Sequence, residues 1–379
     1  MKFIHTSDLH LGKKLYETPM IEDQEYILEQ ILEIVKKEKA DAILIPGDIY
    51  DRSVAPEEAL TLFSNFLKGL HSIGCKAYII PGNHDSSERV AFANSILSEQ
   101  DIFISSSFKG KMERYEVEDE YGKLNIWLLP FFRDVSVNIP EGKPVNTNNA
   151  FITVLENSGV DGNERNILLS HQYFTGGEVP KVGGSEKFTP TKGLEECISY
   201  ALLTPFDYAA LGHIHKSQIV GKENYRYSGT PLKYSETETF EDKSVIVVDV
   251  KGKGDVEIKE VPLVPLRDLR VIEGTVDTII DSARSSNANN NDFVYIKLTE
   301  PALDAKQKLS QVYPNILSIV MSNYVAEDSL ETKSIEEIRR TDPIELFREM
   351  YLKMTGSNMS EEQERIFRDA VEKAKEEVE

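Results

Sequence analysis

Five short stretches of this 379-residue chain gather side chains able to bind metal ions. They are Asp8-Leu9-His10, Gly47-Asp48, Gly82-Asn83-His84-Asp85, Ser170-His171 and Gly212-His213-Ile214-His215. Each is weak alone, since His-x-His is commonly core or surface and Gly-Asp after an apolar run is commonly a turn. Together they offer seven candidate ligands: Asp8, His10, Asp48, Asn83, His171, His213 and His215. Carboxylate, amide and imidazole donors without a thiolate favour Mn²⁺, Fe or Zn²⁺ over an all-oxygen Ca²⁺ site. Seven ligands are too many for one ion, so two ions sharing one carboxylate fit better. Such pairs sit roughly 3.5–4 Å apart and clamp the attacking and leaving oxygens of an in-line displacement.

The elements that must position these residues follow a βαβαβ rhythm. Strands are predicted at 2–6, 41–46 and 76–80, with helical spacing over 22–38, 56–70 and 88–98. Pro56 suits the first turn of its helix. Further strands are expected at 124–129, 165–169, 206–210, 243–250 and 255–261, the last two as a hairpin. Each of the five stretches then falls just past the end of a strand, the edge on which α/β sheets build sites. Asp8 and His10 share one side of an extended segment, as do His213 and His215. The pattern predicts a layered α/β domain with strands buried on both faces.

Pro262 to Pro265 reads as a linker. A small α+β domain follows: a strand at Leu269–Glu273, a helix at Asp277–Arg284, a polar loop at Ser285–Asp292 and a strand at Phe293–Leu298. Beyond a charged stretch, 343–354 and 360–377 are amphipathic helical patterns joined by Gly356-Ser357-Asn358. Ser360 with Gln363 forms a capping-box signal. Two readings stand for this tail: docking onto its own domain, or a partner-binding hairpin on a polar tether.

Cys75 and Cys197 cannot make a disulfide framework and form no C-x-x-C pair, which fits a reduced cytosolic protein. The N-terminal apolar run is too short for a signal peptide. No stretch reaches the roughly 18–20 apolar residues of a membrane span. The expected location is therefore the cytoplasm, with no membrane contact. The net charge of −21 lacks the basic field of a nucleic-acid binder. Bound cations or a partner protein can supply that charge locally.

The series Asp8-x-His10, Gly47-Asp48, Gly82-Asn83-His84-Asp85, His171 and Gly212-His213-x-His215 resembles the calcineurin-like metallophosphoesterase superfamily. Three stretches resemble its SbcD-type branch of DNA double-strand-break repair nucleases: His5-Thr6-Ser7-Asp8-Leu9-His10-Leu11-Gly12, Gly47-Asp48-Ile49-Tyr50-Asp51 and Tyr227-Ser228-Gly229-Thr230-Pro231. The resemblance implies an α/β/β/α sandwich over 1–263, a capping domain over 266–325 that touches DNA, a linker over 326–342 and a helical hairpin over 343–379. It implies that Asp8, His10 and His215 hold one ion, that Asn83, His171 and His213 hold another, and that Asp48 bridges them. His84 would be the catalytic residue beside the metals, oriented by Asp51 or by Asp85. Lys13, Arg52 and Arg89 are candidates for phosphate contact, with ordinary surface charge as the alternative. Tyr173 and Phe174 are open between shaping the groove and core packing.

By the same resemblance the activity is Mn²⁺-dependent hydrolysis of DNA phosphodiesters by a two-metal mechanism. It would act as a 3′-to-5′ exonuclease on duplex DNA and an endonuclease on single strands or hairpins. The implied partners are DNA, an SbcC-like ABC ATPase bound by the tail helices, and a second copy paired through helices 56–70 and 88–98. A phosphoprotein or nucleotide phosphatase on the same scaffold is the alternative, and a scaffold protein with a vestigial metal site is a third reading. Packing of the two helices within one chain is the alternative to pairing between copies.

Overall fold

Two six-stranded sheets are built from the apolar runs of the first 270 residues. In chain order the elements are β1 (Lys2–His5), α1 (Ile21–Glu38), β2 (Ala42–Pro46), α2 (Glu57–Ile73), β3 (Lys76–Ile80), β4 (Ile102–Ile104), β5 (Glu113–Asp119) and β6 (Gly122–Leu129). Then come α3 (Thr147–Ser158), β7 (Arg165–Ser170), β8 (Tyr208–Leu211), β9 (Gln218–Val220), β10 (Lys222–Tyr227), β11 (Ser244–Val250) and β12 (Val256–Pro262). The computed structural model describes residues 1–376 except 141, 179, 183, 185–196, 286–289, 323–341, 356 and 357. The chain divides into two units, Met1–Arg270 and Val271–Glu379.

The first sheet runs β12-β11-β1-β2-β3-β4 and the second β9-β10-β8-β7-β6-β5. The ligand-bearing strands are central and mutually parallel: β1 with β2, β2 with β3, and β7 with β8. Three of the four sheet edges are antiparallel, β12 on β11, β9 on β10 and β5 on β6, and the fourth, β4, is parallel to β3. Alternate residues of each strand face opposite ways. Thus Leu124, Ile126 and Leu128 of β6 share a core with Phe3, Leu44 and Tyr78 of the first sheet. Trp127 and Leu129 instead join Phe151 and Val154 of α3 on the outer face. α1 buries Ile27, Ile31 and Val35, and α2 buries Phe63, Phe66 and Leu70. The layers are α/β/β/α. Truncating one of these core side chains to alanine costs roughly 2–5 kcal/mol.

Pro56 stands just outside α2 as its N-cap, in extended conformation. The expected helix over 88–98 is not one helix. Ser87–Val90 and Asn94–Leu97 are single turns separated by Ala93 in the left-handed region, φ 61°. The Asn94 side chain accepts from Ile104 N–H at 3.0 Å, and Phe92 and Ile96 are exposed, so no buried apolar face holds a longer helix together.

The second unit holds β13 (Leu269–Gly274) from its third residue on, followed by α4 (Val276–Ser285), β14 (Phe293–Leu298) and β15 (Ile316–Met321). The strands form one sheet in that order. Val276, Ile279 and Ala283 of α4 pack with Val294, Ile296 and Leu298 of β14. The tail helices are α5 (Pro343–Thr355) and α6 (Glu361–Glu376), with Phe347 and Phe367 stacked at 3.7 Å. The capping box is formed: Ser360 N–H donates to Gln363 Oε1 at 2.8 Å and Gln363 N–H to Ser360 Oγ at 3.3 Å. Residues 286–289 of the expected loop, 326–341 of the expected linker, Gly356-Ser357 and the last tail residues from 377 lie outside the described residues.

Candidate metal centre

Five strands end at one place. β1 leads to Asp8 and His10, β2 to Asp48, β3 to Asn83 and His84, β7 to His171, and β8 to His213 and His215. Four of these residues have left-handed backbone: Asp8 at φ 54°, His10 at 45°, Asp48 at 50° and His213 at 98°. Such conformations cost about 1–3 kcal/mol each and persist only where the surroundings enforce them. Glycines make the convergence possible. A Cβ on Gly82 would lie 2.2 Å from Asp48 Oδ1, and one on Gly212 would lie 1.9 Å from the Pro46 carbonyl.

Three groups of side chains bring ligand atoms together: Asp8 with His10 and His215, Asp48 with His171 and His213, and His10 with Asp51 and His84. In the first, His10 Nε2 faces His215 Nε2 at 3.0 Å. In the second, His213 Nδ1 faces His171 Nε2 at 3.2 Å, and Asn83 Oδ1 is 3.0 Å from the same nitrogen. Asp48 Oδ2 lies between the clusters, 3.3 Å from His171 Nε2 and 3.8 Å from His10 Nε2. Asp8 accepts from His213 N–H at 3.0 Å and from Ser7 Oγ at 2.5 Å.

Proton counting tests whether cations fit. His171 Nδ1 is 2.7 Å from the Pro46 carbonyl, which only accepts, so Nδ1 carries the proton of the neutral ring. Nε2 then presents a lone pair to the Asn83 and Asp48 oxygens and to His213 Nδ1. That convergence is repulsive without a positive charge. Burial opposes protonation of His171, but the Asp48 carboxylate overrides it and raises the pKa to about 9. Burial lowers the pKa of His10 and His213, and the neighbouring imidazoles add to this. Burial pushes Asp8 up to about 6. Burial opposes ionisation of Asp48 too, but the adjacent His171 holds its pKa well below the usual carboxylate range. His10 Nδ1 and His213 Nε2 are buried without a hydrogen-bond partner among the described residues. Nitrogen and oxygen lone pairs that converge in a buried site suit borderline divalent metals.

His84 adjoins the first cluster, its ring 5.0 Å from that of His10. Its Nδ1 is 2.9 Å from the Asp51 backbone carbonyl, so Nδ1–H donates there. Asp51 therefore orients the ring through its main chain. Its carboxylate pairs with Lys13 Nζ at 2.7 Å and lies 3.6 Å from His10 Nδ1. The Asp85 carboxylate instead accepts from the N–H groups of Ile49, Tyr50 and Gly82, stitching the second motif to the third. Arg52 is highly exposed, and Arg89 donates to the Ser53 carbonyl at 3.1 Å. Phe174 is core, whereas the Tyr173 ring lies 4.0 Å from that of His213.

Supporting residues without a motif of their own complete the centre. Gln24 of α1 donates to the His10 carbonyl at 2.8 Å and accepts from Gly12 N–H at 2.9 Å. Tyr234 donates to the Leu9 carbonyl at 2.7 Å. Phe131 sits edge-on to His171 with ring centroids 6.3 Å apart. Ser228, inside the Tyr227–Pro231 stretch, is bonded to Ser7 at 2.7 Å. Only that last contact had a signal in the sequence.

Comparison with known proteins agrees with this geometry. The family described as "Calcineurin-like phosphoesterase" matches residues 1–217, and the "Type 5 capsule protein repressor C-terminal domain" family matches 265–355. The SbcD component of the nuclease SbcCD from Staphylococcus epidermidis is 34% identical over 370 residues, covering 96% of each chain. The protein of the same name from Staphylococcus saprophyticus is 29% identical, again over 96% of each. A dimetal phosphatase structure from Danio rerio aligns at a TM-score of 0.39 and 11% identity, covering 70% of this chain and 98% of its own. A likeness that distant carries no weight beside the sequence relatives. With its metal-type clusters at the matched motifs and 96% of its length aligned, the chain belongs to the calcineurin-like phosphoesterases and, among them, to the SbcD-type nucleases.

Proposed function

We propose that this chain is the Mn²⁺-dependent nuclease component of an SbcCD-like DNA-repair complex. The observation that carries the reading is the pairing of two histidine–aspartate clusters across one carboxylate, Asp48, in a chain aligned over 96% of its length with a named nuclease. Asp8, His10 and His215 would hold one ion, Asn83, His171 and His213 the other, with Asp48 between them. Bound there, two divalent cations supply Lewis-acid polarisation of a phosphate and activation of water near neutral pH. The protein contributes orientation and proton handling. His84 has Nδ1 committed to the Asp51 carbonyl, so Nε2 is the nitrogen that can exchange a proton with the leaving oxygen. Asp85 ties the loop that carries Asp48 to the loop that carries His84.

The substrate is DNA, cut 3′-to-5′ in duplexes and internally in single strands or hairpins. Residues 1–263 are the nuclease domain, 266–325 cap the DNA, and 326–342 tether the hairpin at 343–379 to an ABC ATPase. Exposed Met350, Leu352 and Ile366 leave apolar side chains on the tail helices for a partner to cover. Leu60 of α2 with exposed Phe92 and Ile96 suits pairing with a second copy, now through α2 and the broken turns rather than two full helices. The complex would act in the cytoplasm; no described helix is long and apolar enough to cross a membrane.

The test compares acid-soluble nucleotide release from linear duplex DNA with phosphate release from a small monoester, both with Mn²⁺. DNA should be degraded, and His84→Ala should abolish this while still binding Mn²⁺. Activity confined to the small ester would replace the nuclease reading with a phosphatase.

A further inference from the structure

We propose that Glu238, clamped by Lys243, is the positioning residue that fixes the orientation and tautomer of His215; this rests on His215 being a metal ligand. Both residues lie in an acidic stretch, Glu236-Thr237-Glu238-Thr239-Phe240-Glu241-Asp242-Lys243, and Glu and Lys are ordinarily exposed to water. Yet Glu238 is fully buried and Lys243 nearly so. Buried charges are retained at a cost unless every donor and acceptor is satisfied. Here they are. Lys243 Nζ donates to Glu238 Oε2 at 2.8 Å, to the His215 carbonyl at 3.1 Å and to Glu241 Oε2 at 3.3 Å, using all three of its N–H groups. Glu238 Oε2 also faces Tyr234 N–H at 3.3 Å and the Thr230 hydroxyl at 3.4 Å, while Ser235 Oγ donates to Oε1 at 3.0 Å. The carboxylate is therefore held against rotation.

So held, Glu238 Oε1 stands 3.9 Å from His215 Nδ1. That is an electrostatic contact rather than a hydrogen bond. It still favours the tautomer with the proton on Nδ1, because a negative charge attracts that N–H. The lone pair then falls on Nε2, the nitrogen that faces His10 at 3.0 Å within the first cluster. The main chain is pinned by the same network, since the His215 carbonyl accepts from both Lys243 and Thr230 N–H. One buried ion pair thus fixes ring and backbone together. The second cluster solves the same problem differently: His171 Nδ1 is set by the neutral Pro46 carbonyl. A carboxylate behind a ligating imidazole raises its basicity more than a carbonyl does, and loss of such a partner typically weakens metal binding roughly 10–100-fold.

The experiment uses the full chain. Long-range ¹H–¹⁵N spectra of the metal-free wild type should place the His215 proton on Nδ1; a proton on Nε2 overturns the proposal without any variant being needed. Titration with Mn²⁺, following free ion by electron paramagnetic resonance, should give two binding events in the wild type. Glu238→Gln should weaken one of them roughly 10–100-fold and leave the other in place. Glu238→Asp, which keeps the charge, should recover part of the loss. Two unchanged affinities in a folded Glu238→Gln protein overturn the inference while His215 remains a ligand. A wild type that does not bind two ions overturns the metal-centre reading itself.

Discussion

His5 joins the two sheets at the strands that carry the centre, and its buried imidazole makes the stability of the fold depend on pH. It lies on β1 and is fully buried. Its Nε2 is 3.2 Å from the Leu211 carbonyl on β8, which only accepts, so Nε2 bears the proton and Nδ1 accepts from the Tyr208 hydroxyl at 2.9 Å. Burial lowers its pKa from 6.5 to about 3, despite the opposing pull of the Leu211 carbonyl. Between those values the unfolded chain binds one proton more than the native chain, so stability falls as pH falls. The contribution is complete above the unfolded value and is lost progressively below it, levelling off beneath the folded one. The slope is about 1.4 kcal/mol per pH unit, so going from about pH 8 to about pH 5 removes about 2 kcal/mol through this group alone. His5→Gln keeps a donor for Leu211 but does not titrate. Its fixed cost is roughly 1–3 kcal/mol, from the bond lost to Tyr208. The stability advantage of wild type over variant should therefore shrink by about 2 kcal/mol across that pH range. Urea unfolding in chelator measures it, followed by the fluorescence of Trp127, the single tryptophan and a buried residue of the first unit. An advantage that stays constant with pH would refute the buried neutral imidazole.

Gly82→Ala should fold, yet bind Mn²⁺ with at least one site lost by calorimetry, because the new Cβ would meet Asp48 Oδ1 at 2.2 Å and Asp48 N at 2.4 Å. At saturating Mn²⁺, Asp51→Asn should lower kcat no more than roughly tenfold, against roughly 10²–10⁴-fold for His84→Ala, because the bond that orients His84 comes from the Asp51 main chain. Comparable losses in steady-state DNA cleavage would mean that the carboxylate has a role of its own in the chemistry. Metal binding should release protons at neutral pH, since the metal-free centre keeps one on His171, with a pKa of about 9, and Asp8 holds another as pH drops through about 6. Both raised values make protons compete with cations, so affinity should rise with pH. Calorimetry in buffers of different ionisation enthalpy counts the protons, and a count of zero contradicts the lone-pair convergence.

The first sheet and the ends of its strands were legible because buried parallel strands read as short apolar runs, and Gly or Pro marks where each stops. Ala42–Pro46 and Lys76–Ile80 are of that kind. β10 was not legible: Lys-Glu-Asn-Tyr-Arg-Tyr has the polarity of a loop and becomes a strand by pairing with β8 on one side and β9 on the other. The segment 88–98 misled in the opposite direction. Val90 and Leu97 at helical spacing suggest one amphipathic helix, but Phe92 and Ile96 find no core within the chain and the backbone turns over at Ala93. The choice between Asp51 and Asp85 behind His84 was beyond any sequence pattern, since the answer is a main-chain carbonyl. Gln24, Glu238 and Lys243 were invisible for a related reason. Each reaches a ligand loop distant in sequence, and each is a residue type ordinarily found in water.

These supporting contacts bear on how a site assembled from five loops stays in one shape without its cations. Left-handed backbone at Asp8, His10, Asp48 and His213 works against folding, as do two buried imidazole nitrogens without partners. Inside the clusters the converging lone pairs repel unless a proton or metal lies among them, and the bond from His213 N–H to Asp8 offsets this only in part. The rest of the offset comes from the layer behind. Asp85 ties the Asp48 loop to the Asn83 loop, Gln24 and Tyr234 hold the loop around His10, Pro46 holds His171, and His5 fastens β1 to β8. Every one of these bonds ends on main chain, so the loops are fixed whatever occupies the clusters. A centre built this way is arranged before its ions arrive, and the free energy of binding them is left for the phosphate rather than for folding the loops.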